Sequence, residues 1–265
     1  MQFSEVMASL RAAEGGGWQA QTDDSWLQGR SLFGGIQAAL GVAAMRRAST
    51  VEAPLRSLQV SFIAPVPAGP MNLRVEVLRQ GRSATQVECR IVDGEQTLCL
   101  MLGIFGAARD SSIRIDPVVA PPGKPLEQAD ELPFMKGLMP DFLQHMRQRW
   151  TKGGFPFTAQ PEAAFQVHGA MREALPCDEA ALVALADAIP TPALTVLKQP
   201  AMASSLTWTL ELLGDGLPST TMDRDFRFDA VVDAAAGGYA NQTATLLSPD
   251  GVPVAFSRQA VVVFA

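Results

Sequence analysis

The segment Phe33-Gly34-Gly35-Ile36-Gln37-Ala38-Ala39-Leu40, continuing to about Ala48, has apolar side chains on nearly every side of a helix. A surface helix keeps one polar face, so this one has to be enclosed. The residues after it supply the enclosure. Ser57-Leu58-Gln59-Val60-Ser61-Phe62 and Leu73-Arg74-Val75-Glu76-Val77 alternate polar and apolar side chains, the period of a half-buried strand. Gln80-Gly81-Arg82-Ser83 reads as a turn, 85–92 as a strand and Asp93-Gly94 as a hairpin. The run 96–107 closes the set, giving one buried helix and a meander of antiparallel strands.

The same sentence is written twice. After a first helix over 3–14, ended by Gly15-Gly16-Gly17, and the helix–meander unit, regularity dissolves between 109 and 140. There Asp116-Pro117, Pro121-Pro122-Gly123 and Lys124-Pro125 break any regular element. Strands are then expected at 142–150 and 164–171, and a helix at 178–188 with Asp178 as its cap. Further strands are expected at 204–213, 225–235, 239–247 and 252–264. Ser57-Leu58-Gln59-Val60-Ser61-Phe62 matches Ser205-Leu206-Thr207-Trp208-Thr209-Leu210 in type, and Asp93-Gly94 has its counterpart in Asp250-Gly251. The expected organisation is a duplicated α+β unit: residues 1–110, a linker at 111–140, and residues 141–265.

Composition narrows the chemistry. The chain of 265 residues is 48% hydrophobic and 18% charged, enough for real cores and too apolar for a disordered chain. A net charge of −6 argues against a nucleic-acid partner, which needs clustered Lys and Arg. Cys89, Cys99 and Cys177 are too few and too scattered for a disulfide framework or a metal site. The longest apolar run, 98–104, is far short of the roughly 20 residues that span a bilayer, and no targeting signal is visible, so a soluble cytoplasmic protein is expected. Only two histidines exist, His145 and His168, which leaves little for triads or histidine relays. The four tryptophans, Trp18, Trp26, Trp150 and Trp208, read as core or pocket lining. There is no Gly-x-Ser-x-Gly elbow, no phosphate loop and no dinucleotide fingerprint, and no cofactor or metal is expected.

Several of these pieces, in this order, resemble the acyl-CoA thioesterase II family of double hot-dog proteins. They are Leu32-Phe33-Gly34-Gly35, Leu58–Pro65, Val77–Ser83, Asp93-Gly94, Ala186-Asp187, Ser204-Ser205-Leu206, and Asp250-Gly251 with Gln259 eight residues later. The resemblance implies a double hot-dog fold, each sheet wrapping its own helix, and hydrolysis of acyl thioesters. It also implies a site of aspartate, hydroxyl residue and glutamine that orients a water, carried here by Asp187, Ser205 and Gln259. Where the family has an aspartate–histidine pair after the hydroxyl residue, this chain has Thr207-Trp208. Edge-to-edge association into a homodimer or larger homo-oligomer is implied by the same likeness.

The residues themselves are compatible with that chemistry. A thioester carbonyl is already activated, so a positioned, partly deprotonated water and donors for the oxyanion suffice. A carboxylate serves as base without histidine when burial raises its pKa, and Asp187 ends an Ala/Leu/Val-rich segment. Gly34-Gly35 allow close approach to backbone N–H groups at a helix start and are the candidate substrate-binding residues. With the repeats aligned, Ala39 and Leu102 stand opposite Asp187 and Gln259, so the polar set belongs to the second copy. The alternatives are a non-catalytic acyl-CoA or lipid-binding hot-dog protein and an enoyl-CoA hydratase.

Overall fold

The computed structural model describes residues 1–214 and 216–265. A short helix α1 (Phe3–Ala8) precedes the strands β1 (Arg11–Ala12), β2 (Trp18–Gln21), β3 (Leu27–Gln28) and β4 (Ser31–Leu32). Helix α2 (Gly34–Ser49) follows, then β5 (Leu55–Phe62), β6 (Pro70–Gln80), β7 (Ala84–Asp93) and β8 (Gln96–Gly106). The second half contains β9 (Asp130–Glu131), β10 (Met146–Lys152), β11 (Ala164–Met171), α3 (Glu179–Ala186), β12 (Met202–Leu212), β13 (Phe226–Ala236), β14 (Tyr239–Leu247) and β15 (Pro253–Phe264). Among the described residues no helix is long and apolar enough to cross a membrane.

All but β3 and β4 form one antiparallel sheet in the order β1-β2-β6-β7-β8-β5-β12-β15-β14-β13-β11-β10-β9. The halves meet at β5 and β12, where Thr207 pairs with Ser61 and Glu211 with Ser57. Each half repeats one spatial order, with the strand after its helix innermost and the last strand beside it. The two helices lie inside the wrap. Every residue of α2 from Gly34 to Val42 is buried, as is all of α3 from Ala180 to Ala186. This is the double hot-dog arrangement, and it is why these helices have no polar face.

The helices run antiparallel. At one end Arg46 of α2 forks onto Glu179 at the start of α3, with nitrogen–oxygen distances of 2.8 and 2.5 Å. At the other end Gly35 faces Ala184 and Asp187. Asp178 caps α3 by accepting the Ala181 N–H at 2.8 Å.

Two expectations are corrected. The first helix stops at Ala8, not at residue 14, because Ser9 turns its hydroxyl back onto the Val6 carbonyl at 2.6 Å. Arg11 and Ala12 then pair with Gln19 and Trp18 in a hairpin over the glycines. The expected strand at 142–150 begins only at Met146, since Asp141–His145 form a 3-10 turn after Pro140. That turn buries Phe142, which stacks on Phe33 at 3.9 Å between ring centroids, so tertiary packing overrides the local pattern.

Candidate active site

Three neighbouring strands, β12, β15 and β14, carry polar side chains on the inner face of the second half-sheet. Gln259 lies opposite both Trp208 and Gln242, and Ser205 lies opposite Val261. Trp208, Val261, Gln259 and Gln242 are all buried, which fixes this as the face toward the helices. Simple alternation would put Ser205 on the outer face with Thr207 and Thr209. A bulge at Leu206, between the pairs Ser205–Val261 and Thr207–Ala260, reverses the parity and turns Ser205 inward.

Hydrogen bonds order the row. Ser205 Oγ donates to Gln259 Oε1 at 3.1 Å, and Gln242 Nε2 donates to the same oxygen at 3.2 Å. With its carbonyl so occupied, Gln259 turns its amide nitrogen to Asp187 and donates to Oδ1 at 2.6 Å. Asp187 is the residue that ends α3, and its carboxyl also accepts the N–H of Gly35 in the first turn of α2. The residue keeps some exposure while its carboxyl group is enclosed. Burial pushes the Asp187 pKa up to about 7, against the lowering pull of the Gln259 and Gly35 hydrogen bonds.

Gly34 supplies the room. A methyl group there would meet Asp187 Oδ2 at 2.7 Å and the tip of the Phe62 ring at 2.8 Å. Phe62 ends β5, so the surroundings of Asp187 are drawn from both halves: α2 and β5 from the first, α3, β12, β14 and β15 from the second.

The structure therefore brings Asp187, Ser205, Gln259, Gly34 and Gly35 to one place. Gln242 and Phe62 join them and were missed in the sequence. Gln242 had a legible signal, a polar residue at an inward position between Ala240 and Ala244. Thr207 faces away from the row, and Trp208 is core, its indole N–H donating to Ser257 at 2.9 Å. Trp26 and Trp150 are likewise buried.

Neither histidine is among the groups that act on Asp187. His145 stacks on Trp26 at 4.1 Å and reaches Ser25 Oγ at 2.9 Å. His168 lies on β11 among Asp225, Arg227, Asp229 and Arg149. Among the described residues no three His, Cys, Asp or Glu side chains cluster so as to hold a metal ion. A cavity of about 670 Å³ opens on the other side of the same half-sheet, over Thr209, Thr243, Phe256 and Arg258 beneath Val118. It does not touch Asp187.

Comparison with known proteins agrees with this architecture. A family described as the acyl-CoA thioesterase C-terminal domain matches residues 123–263, and one described as the acyl-CoA thioesterase N-terminal domain matches residues 22–106. No curated protein matches the chain. Among solved structures, a hot-dog protein of unknown function from Alicyclobacillus acidocaldarius is similar with a TM-score of 0.88 and 22% identity, over 99% of this chain and 98% of the other. A putative thioesterase II from Thermobifida fusca gives 0.80 and 16%, over 99% and 97%. An acyl-CoA thioesterase II from Mycobacterium marinum gives 0.73 and 20%, over 100% and 98%.

Proposed function

The chain belongs to the acyl-CoA thioesterase family, and on that premise we propose that it hydrolyses acyl-CoA thioesters to a free acid and CoA, with Asp187 as the general base. The observation that carries this reading is the enclosed Asp187 carboxyl, held by Gln259 and Gly35 and raised to about 7. A base poised near the working pH combines a useful ionised fraction with real basicity, and such groups contribute roughly 10²–10⁴-fold.

In the proposed reaction Asp187 takes a proton from a water as the water oxygen attacks the thioester carbonyl. The carbonyl gains negative charge, the carbon–sulfur bond then breaks, and the proton passes to the departing thiolate. Ser205 donates its hydroxyl hydrogen to Gln259, which leaves its lone pairs free to hold the second hydrogen of that water. Gly35 spends its N–H on Asp187, so polarising the carbonyl falls to the other first-turn amides of α2, which have no intrahelical acceptor. Gly34 gives the substrate access to that backbone. That neither histidine is among the groups acting on Asp187 favours this reading over an enoyl-CoA hydratase.

In this reading residues 1–110 and 141–265 are the two units, 111–140 joins them, and a cytoplasmic homodimer or larger homo-oligomer is the working form. Sedimentation tests the assembly. A panel of acyl-CoA esters, read by thiol release with a chromogenic reagent, tests the activity. Native protein should release thiol from at least one ester. Asp187→Asn should cut that rate well over tenfold while the circular dichroism stays unchanged. Near-normal turnover in the variant removes Asp187 from the mechanism. Binding without any thiol release by the native protein favours the non-catalytic alternative.

A further inference from the structure

Gln242 stands one strand beyond the proposed site, on β14, and its side chain has an unbalanced set of bonds. Its Nε2 donates to Gln259 Oε1, while its own Oε1 is buried without a hydrogen-bond partner among the described residues. Leaving a buried carbonyl unpaired costs about 1–3 kcal/mol, and such groups in folded proteins call for a reason. Packing is not the reason. The inward residues on either side of it along β14 are Ala240 and Ala244, both buried, so an apolar side chain would suit this face. What the glutamine adds is one N–H directed at Gln259.

That N–H matters because of what Gln259 must do. Its amide can sit either way round, and only one way presents N–H to Asp187. Flipped, it would present its carbonyl oxygen, which repels the carboxylate. Ser205 alone does not settle the choice, because a hydroxyl accepts as readily as it donates. A second amide on Gln259 Oε1, at 3.2 Å, resists the flip, because Gln242 would have to turn over with it.

We propose that Gln242 is a positioning residue for the reaction, acting through Gln259 to keep a hydrogen bond on the ionised carboxylate of Asp187. The inference rests on the function proposed above. It makes Ser205, Gln259 and Gln242 a three-strand row in which the outer two hold the middle one. The groups acting on Asp187 are the enclosing apolar surroundings, Gln259 and the Gly35 N–H; no charged side chain of α2, α3 or the strands contributes.

The test is Gln242→Met, close in size and without a donor. Gln259 then flips more freely, the ionised form of Asp187 loses support, and the acid limb of the kcat/KM profile moves to higher pH. At pH 7 kcat should fall about tenfold with KM within about twofold, and thermal stability should hold or rise because the orphan carbonyl is gone. Gln242→Asn, which keeps the amide on a shorter stem, should recover part of the rate. In the double variant Q242M/Q259M the loss should equal that of Q259M alone, since the first change acts through the second. A native-like pH limb in Q242M, or losses that multiply in the double variant, overturns the proposal. Should the native protein hydrolyse no acyl-CoA, the carbon-13 chemical shift of the Asp187 carboxyl still reads the same effect. Its titration should move upward in Q242M, and an unmoved titration rejects the role of Gln242 independently of the reaction. If Q242M fails to fold, Gln242→Leu serves for every measurement.

Discussion

Asp187 and Gly35 meet where the end of one central helix faces the start of the other. The carboxyl at the C-terminus of α3 accepts an N–H from the first turn of α2. A carboxylate is disfavoured at the end of its own helix and favoured at the beginning of another, so the antiparallel pairing supplies part of the support that burial removes. The balance still lies with burial, and the pKa stands at about 7.

That balance fixes the sign of two pH effects. As the proposed base, Asp187 would work when ionised, so kcat/KM should rise with pH and level off above about 7. Stability should run the other way. The folded pKa is raised above the ordinary 3.8, so between roughly pH 4 and 7 the folded chain holds a proton that the unfolded chain has released. The stability contributed by this group is fully present below pH 4 and is lost as pH rises through 7. Asp187→Asn escapes that loss. Its stability relative to the native chain should therefore climb between pH 4.5 and 8, by a few kcal/mol at about 1.4 kcal/mol per pKa unit. Urea unfolding of both proteins at the two pH values measures it, and a difference independent of pH would contradict an enclosed, titrating Asp187.

The adjacent glycines separate function from fold. A methyl group on Gly34 meets the movable ends of two side chains, Asp187 Oδ2 and Phe62. One on Gly35 meets the Ala184 carbonyl oxygen at 2.5 Å, a backbone atom that cannot swing aside. Gly34→Ala should fold and lose more than about tenfold in kcat/KM by displacing the carboxylate. Gly35→Ala should lower stability by about 1–3 kcal/mol or more by forcing the helices apart. Melting curves beside thiol-release rates distinguish them, and equal melting temperatures would refute the close contact at Gly35.

Much of the architecture was legible because burial writes a strong pattern. A helix apolar on nearly every side, as expected from Phe33 to about Ala48, has no solution except enclosure, and alternation along 57–62 and 73–77 located strands closely. Ser205 shows where legibility ends. Its inward orientation depends on the bulge at Leu206, and counting by twos from Trp208 assigns it to the wrong face. The juxtaposition of Asp187 with Gly35 was equally hidden, because it depends on the two helices packing antiparallel across the chain. Gln242 was visible as an inward polar residue, but its meaning required knowing that Gln259 is its cross-strand neighbour.

At the opposite end of the helix pair, Arg46 and Glu179 join α2 to the start of α3. Glu179 also accepts the Leu55 N–H at 2.9 Å, and Arg46 lies 4.4 Å over the Phe105 ring. Both side chains are largely buried, with 23% and 17% exposure, so removing one strands the other. Glu179→Leu should cost about 2–3 kcal/mol, while Arg46→Met/Glu179→Leu together should cost less than the single change. Denaturant unfolding of the three proteins decides it; a double variant less stable than the single one would show that the pair contributes more than mutual compensation.

A limb near pH 7 in a rate profile is commonly credited to histidine, whose ordinary pKa is about 6.5, so the assignment to Asp187 needs the histidines removed. His145 is tied to Trp26 and Ser25, and His168 sits on β11 beside Arg149 and Arg227. Burial lowers the pKa of both, which takes their titration further from the expected limb. His145→Phe keeps a ring against Trp26, and His168→Gln keeps a polar group in the charged cluster. The double variant should be somewhat less stable through loss of the Ser25 bond. It should retain turnover within about threefold and show the same acid limb near pH 7. If the limb disappears with the histidines while activity persists, the titrating group is not Asp187. Should activity vanish instead from a folded protein, a histidine takes part and hydrolysis by a carboxylate alone is refuted.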